Sequence, residues 1–123
     1  MEDIVIPPRL DEVQYRQLRT AFEAKRNVIV QFSAKLTEAE IRQQFDFLLP
    51  KVSDSFAASV LADLAEMDHV PHDLLERLFV VGDTACQVTI CLRSDLSDSL
   101  VALCESSTDQ NVIEHWNRRR SGP

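Results

Sequence analysis

Glycine is scarce in this sequence, which contains only Gly82 and Gly122. Phosphate-binding loops, dinucleotide-binding turns and tight β-hairpins all need the backbone freedom that glycine supplies. The scarcity therefore argues against these three structures. The many Leu, Ala, Glu, Gln and Arg residues are strong helix formers, and they favour helices joined by short turns.

The motifs of common enzyme classes are also missing. The sequence has no glycine-rich loop, no serine nucleophile elbow and no H-E-x-x-H motif. His69 and His72 precede Cys86 and Cys91, but these four residues lack the close pairs on both sides that structural zinc sites use. We therefore expect no catalytic residues, no metal site and no other cofactor, and we interpret the chain as non-enzymatic.

Long apolar runs are absent as well. No stretch is long enough to cross a bilayer, and the opening segment MEDIVIPPRL is too acidic for a signal peptide. The three cysteines, Cys86, Cys91 and Cys104, are an odd number and lie among apolar residues. This arrangement is typical of buried, reduced thiols. We therefore expect a cytoplasmic protein.

Basic residues are outnumbered by acidic ones, 13 to 20, so the formal net charge is -7. Such a chain is repelled by nucleic acid and by anionic membranes, and it is steered toward a basic protein partner. We therefore expect neither a nucleic-acid nor a membrane partner. The simpler interpretation is that the charge serves solubility alone.

Apolar residues recur at helical spacing along most of the chain. Residues 10–26 form one such segment, and Thr37 with Glu40 forms a capping box that begins another helix. Residues 28–32 are compatible with either helix or strand.

An internal repeat appears in the second half of the chain. Residues 61–75 align without gaps to residues 87–101 at an offset of 26. The unit consists of the end of one helix, a short turn with an aspartate, and an apolar residue that opens the next helix. This pattern resembles the leucine-rich repeat variant and HEAT-like families of short helical-pair repeats over roughly residues 53–118. The resemblance assigns six leucines to core positions: Leu74, Leu75, Leu78, Leu96, Leu100 and Leu103.

We therefore predict an all-α fold of seven or eight short helices in a stacked helical-hairpin, HEAT-like array. The predicted domain spans residues 1–118, and residues 119–123 form a flexible basic tail. The alternative is an α+β fold with a small hairpin near residues 79–92, where apolar residues alternate beside a glycine turn. The repeat favours helix there, because the matching segment 61–66 is a strong helix former.

Acidic residues recur at the turns of the repeat. If the units stack, seven acids gather along one edge as a partner-binding surface. The seven are Asp63, Glu66, Asp68, Asp73, Glu76, Asp95 and Asp98. A simpler interpretation is that aspartates cap helices, which explains Asp73 and Asp98 better than the glutamates. If the acids serve only solubility, Tyr15 and Trp116 are the first candidates for an aromatic interface.

In kind, this profile resembles bacterial immunity proteins, which are small, acidic proteins that bind and block basic nuclease toxins. The resemblance implies an inhibitor that occupies the nucleic-acid site of its partner without any chemistry of its own. The alternative is a helical-repeat adaptor or regulatory subunit of another complex.

Overall fold

The computed structural model describes residues 3–25 and 28–121. This part of the chain contains two strands, β1 (Asp3–Ile6) and β2 (Ile29–Phe32), and a short 3₁₀ helix, Leu49–Lys51. Its seven α-helices are α1 (Glu12–Ala24), α2 (Glu38–Leu48), α3 (Ser55–Ala65), α4 (His72–Val81), α5 (Thr84–Cys91), α6 (Asp98–Glu105) and α7 (Gln110–Ser121). None of these helices is long and apolar enough to cross a membrane.

The predicted, mostly helical fold is confirmed. Residues 79–92 are helical because Gly82 ends α4 and Asp83 caps α5, its carboxylate accepting the Cys86 N–H at 3.0 Å. A small sheet is also present, as in the α+β alternative, but it is built from β1 and β2 instead of residues 79–92. Residues 28–32, for which the sequence did not distinguish helix from strand, contain β2.

β1 and β2 are parallel and are connected through α1. Ile4 lies beside Val30, and Ile6 lies beside Phe32. Ile4 and Ile6 are buried whereas Val5 is half exposed, so one face of the sheet packs on the core and the other faces solvent.

The 26-residue repeat sets the helix boundaries of the second half of the chain. α3 ends at Ala65 and α5 at Cys91, while α4 begins at His72 and α6 at Asp98, and each pair is 26 residues apart. The first residues of α5 and α7 are separated by the same interval. α3, α5 and α7 pack successively in one row, and α4 packs on α6 in a second row.

The buried side chains follow the same interval. Val60 and Leu64 of α3 are buried, as are the residues 26 and 52 positions later. In α6, Cys104 is buried at the position that corresponds to Leu78. Two of the six leucines assigned to core positions are therefore corrected. Leu96 and Leu103 are only partly buried and pack against the edge of the core.

An arginine also recurs at this interval. In each copy its side chain reaches the carboxyl end of the preceding helix in the row. Arg93 donates to the carbonyl of Ala65 at 2.7 Å, and Arg119 donates to the carbonyl of Cys91. Arg119 also lies over the Trp116 ring. The domain boundary predicted at residue 118 therefore moves: α7 continues through Ser121, and Arg119 belongs to the packed domain, not to a flexible tail. Residues 122–123 lie outside the described part of the chain.

The three cysteines are buried free thiols, as predicted. Burial, with a smaller contribution from the charge of Asp83, raises the pKa of Cys86 to about 12. The neighbouring Cys104 thiol together with burial raises the pKa of Cys91. The raised pKa values of Cys86 and Cys91 disfavour their reactive thiolate forms.

The two aromatic candidates for an exposed interface are both in the core, so that prediction is wrong. Tyr15 is 2% exposed and Trp116 is 7% exposed. The Tyr15 hydroxyl donates to Asp54 at 2.9 Å, and burial together with this bond raises the pKa of Tyr15. Tyr15 therefore ties α1 to the start of α3.

Gln44 in α2 is fully buried, and neither atom of its amide has a hydrogen-bond partner among the described residues. An unpaired buried amide costs about 1–3 kcal/mol. We therefore expect Gln44→Leu to raise the free energy of unfolding by about 1–2 kcal/mol in urea denaturation. The matched control is Gln43→Leu on the exposed side of the same helix, where we expect a change below about 0.5 kcal/mol. Loss of stability on Gln44→Leu would contradict the expectation.

Candidate interaction surface

The structure does not bring the seven predicted acids together along one edge. Glu66, Asp68 and Asp95 line one depression. Asp63 and Glu66 line a second depression. Asp73 and Glu76 line a third, on the α2 side of α4. The seventh acid, Asp98, is exposed in the first turn of α6.

Three of these acids already have basic partners. Lys35 donates to Asp68 at 3.0 Å, and the pKa of Asp68 is lowered by this contact. Arg42 makes a two-pronged contact with Asp73, with both N–O distances at 3.1 Å, and lowers the pKa of Asp73. Asp95 accepts from Arg93 at 2.8 Å, and its pKa is likewise lowered. Because their charges are compensated locally, these acids attract a basic partner less strongly than unpaired acids do.

The capping interpretation of Asp73 and Asp98 is also corrected. Pro71 stands at the cap position of α4, and the Ser97 hydroxyl caps α6 by accepting the Leu100 N–H. Asp73 and Asp98 lie in the first turns of these helices, where the helix dipole favours a negative charge.

Asp63 ties α3 to the sheet. Its carboxylate accepts the backbone N–H of Phe32 at 2.8 Å, and the side chain is about half-buried. Burial raises the pKa of Asp63, since a charged carboxylate is less well solvated there. Asp63 therefore has a structural contact as well as a place in the candidate surface.

Glu66 lies where three depressions of the surface meet. It stands at the carboxyl end of α3 and is exposed, and its carboxylate has no hydrogen-bond or ion-pair partner within the described ranges. Glu66 lines three depressions, of about 340, 300 and 360 Å³. These depressions connect β2 with α3, α5 and the turn after α5.

The first of these depressions, here called the β2–α3 groove, is strongly acidic. One wall is residues 28–31, and the other carries Asp63 and Glu66 of α3 with Asp83 at the start of α5. Among the described residues that line the groove, three are carboxylates and none is Lys, Arg or His. These described residues therefore present negative charge without a basic counterpart, which suits a cationic side chain.

Apolar surface flanks this groove, and sequence reasoning missed it. Ala85, Val88, Thr89 and Leu92 follow one another at helical spacing along α5 and its C-cap. Leu92 is 56% exposed and Ala85 is exposed, whereas Val88 and Thr89 are half-buried. Ile29 of β2 is 46% exposed. The signal that could have found the α5 face is the repeat itself, since these four residues occupy the positions of Ser59, Ala62, Asp63 and Glu66 in α3.

A second groove, between α2 and α4, has balanced charge. Val80, 71% exposed, lies beside it, and the Arg77 guanidinium covers Phe45 at 4.6 Å from the ring centre. Arg77 offsets Glu76 in this groove, and Arg42 offsets Asp73. Charge therefore distinguishes the β2–α3 groove from this second one as a surface for a basic partner.

The groups considered for metal binding lie in different environments. His69 and His72 are exposed, whereas Cys86 and Cys91 are buried. Within residues 3–25 and 28–121, no three His, Cys, Asp or Glu side chains are placed to hold a metal ion. Comparisons with protein-family models, with curated proteins and with solved structures found no match for this chain.

Proposed function

We propose that this chain is a non-enzymatic protein that binds a basic protein partner through the β2–α3 groove and the surface around Glu66. The most specific form of this proposal is that the protein is a cytoplasmic immunity protein that neutralises a basic, nuclease-type bacterial toxin. The observation that supports this proposal is a groove whose described lining has three carboxylates and no basic residue, in a chain of net charge -7.

Neutralisation in this proposal is steric and electrostatic. A nuclease needs a basic surface for its polyanionic substrate. A protein that presents unpaired carboxylates to this surface excludes the substrate without any chemical step. Complementary charge also accelerates association, which suits an inhibitor that must act before its target does.

The second candidate function is a helical-repeat adaptor or regulatory subunit. The observation that favours it is the exposed apolar side chain of Leu92 at the end of α5, beside the exposed Ala85, because apolar surface is typical of permanent assemblies. The two candidates differ in salt dependence, since apolar association is not weakened by screening.

The test is the rate of binding to a partner captured with the tagged protein and identified by mass spectrometry. We expect Glu66→Lys with Glu76→Lys to lower the association rate constant at least about tenfold at low salt. This difference should shrink as the Debye length falls below about 10 Å. The matched control is Glu105→Lys with Glu114→Lys, which makes the same change in net charge at exposed sites on α6 and α7.

Each outcome has a distinct meaning. If both double variants slow association equally, only net charge matters and the acidic surface is not the interface. If neither variant nor salt has an effect, while Leu92→Ser abolishes binding, the adaptor is favoured over the inhibitor. The two single reversals then separate the β2–α3 groove from the α2–α4 groove, because Glu66 and Glu76 lie in different grooves.

A further inference from the structure

One edge of the small sheet is not fully paired. Ser33 donates its N–H to the Ile6 carbonyl at 2.8 Å, so β2 uses its odd-numbered residues to bond β1. The peptide groups of Val30 and Phe32 consequently face the opposite edge. The Phe32 N–H on this edge reaches Asp63 of α3, whereas the Val30 N–H and C=O have no partner among the described residues.

This open edge lies in the β2–α3 groove. Val30 is one of the residues that line the groove, and Asp63, which takes the neighbouring N–H, belongs to the opposite wall. An uncovered strand edge presents a donor and an acceptor that match those of another extended chain. A two-stranded sheet also gains stability from a third strand.

We propose that the β2–α3 groove receives an extended segment of a protein partner, which adds as a third strand beside Val30 and places a lysine or arginine among Asp63, Glu66 and Asp83. This inference rests on the proposed function, because it states how the basic partner is held. The contact is short, since the Phe32 N–H is already taken by Asp63.

Side-chain alternation defines the sequence that fits. Neighbouring residues of a strand point to opposite faces of the sheet. The residue beside Val30 shares the inner face with the three carboxylates, whereas the residues on either side of it share the outer face with the half-exposed Ile29. The preferred segment is therefore a basic residue flanked by apolar ones.

The experiment uses the full chain labelled with ¹⁵N and a blocked pentapeptide in which two valines flank a central lysine. We expect the Val30 amide of the free protein to exchange rapidly with solvent, although it lies in a strand. Saturating peptide should slow this exchange at least about tenfold, as a new backbone hydrogen bond forms. A peptide with glutamate in place of lysine should bind at least about tenfold more weakly.

Two matched controls separate charge from strand pairing. A peptide with the same side chains but methylated alternate backbone nitrogens keeps its charge and cannot pair as a strand. Glu66→Lys in the protein should weaken peptide binding, whereas Glu105→Lys, also at the carboxyl end of a helix, should not.

Strand addition is overturned if the Val30 amide is already protected in the free protein, if no peptide protects it at millimolar concentration, or if the methylated peptide binds equally well. These outcomes leave the proposed function standing when binding to the captured partner still depends on Glu66. If partner binding does not depend on Glu66, the proposed function fails and strand addition by a basic segment fails with it.

Discussion

Replacement of Arg93 by methionine is expected to lower the free energy of unfolding by about 3 kcal/mol. The Arg93 side chain is only 10% exposed, and its guanidinium donates to the carbonyls of Ala65 and Met67 at 2.7 and 2.8 Å. The last carbonyls of a helix have no partner within the helix. Methionine keeps the length and apolar stem of the side chain but cannot donate, so these carbonyls and Asp95 lose their partner. Urea denaturation followed by circular dichroism measures the loss.

The control for Arg93 is Arg16→Met on α1. Arg16 pairs with Glu12 at 3.3 Å, but its side chain is 76% exposed, so we expect a change below about 0.5 kcal/mol. If Arg93→Met costs no more than this control, the arginine does not hold the end of α3 and water serves its carbonyls equally well.

The arginines show what a single sequence can and cannot predict. Their 26-residue spacing is visible in the sequence, as are the capping box of Thr37 and Glu40 and the helix starts at Pro71 and Ser97. These features are local, so their residue types specify them directly. The carbonyls that Arg93 caps have no sequence signature, because every residue carries a backbone carbonyl.

The two strands could not be placed for a related reason. β1 and β2 have four residues each, which is too short for alternation to be distinguished from chance. Asp3 pairs with Ile29 across the whole of α1, so the sheet depends on contacts between distant segments. The same argument applies to its open edge, which only the pairing register reveals.

The sequence predicted that the candidate surface is acidic, but it did not predict which acidic residues form it. The sequence identifies the acids, yet the partners that compensate Asp68 and Asp73 lie 33 and 31 residues away, at Lys35 and Arg42. Without these long-range pairs, compensated and uncompensated acids look alike. Asp83 was not assigned to the surface at all, because it lies outside the repeated turns from which the seven acids were selected, and the structure shows that it also caps α5.

Replacement of Gly82 by alanine is expected to lower the free energy of unfolding by about 2–3 kcal/mol, as overpacking does in tightly packed sites. Gly82 has an ordinary backbone φ of -74°, so conformational freedom is not the reason. The reason is space. A Cβ atom at this position would lie 2.6 Å from the Cys86 sulfur and 2.6 Å from the Leu78 carbonyl oxygen. Gly82 also donates its N–H to that carbonyl at 2.8 Å, so the backbone cannot move away without losing the bond.

A double-mutant cycle with Cys86→Ala tests this explanation, because it removes the sulfur that the new methyl group would meet. We expect Gly82→Ala to cost about 1 kcal/mol less in the Cys86→Ala background than in the wild type. The rescue should be partial, since the Leu78 oxygen is part of the backbone and the Cβ of residue 86, 2.7 Å away, remains. Additive effects in the cycle would mean that the sulfur is not the obstacle. An unchanged stability of Gly82→Ala would mean that α4 and α5 can separate freely at this turn.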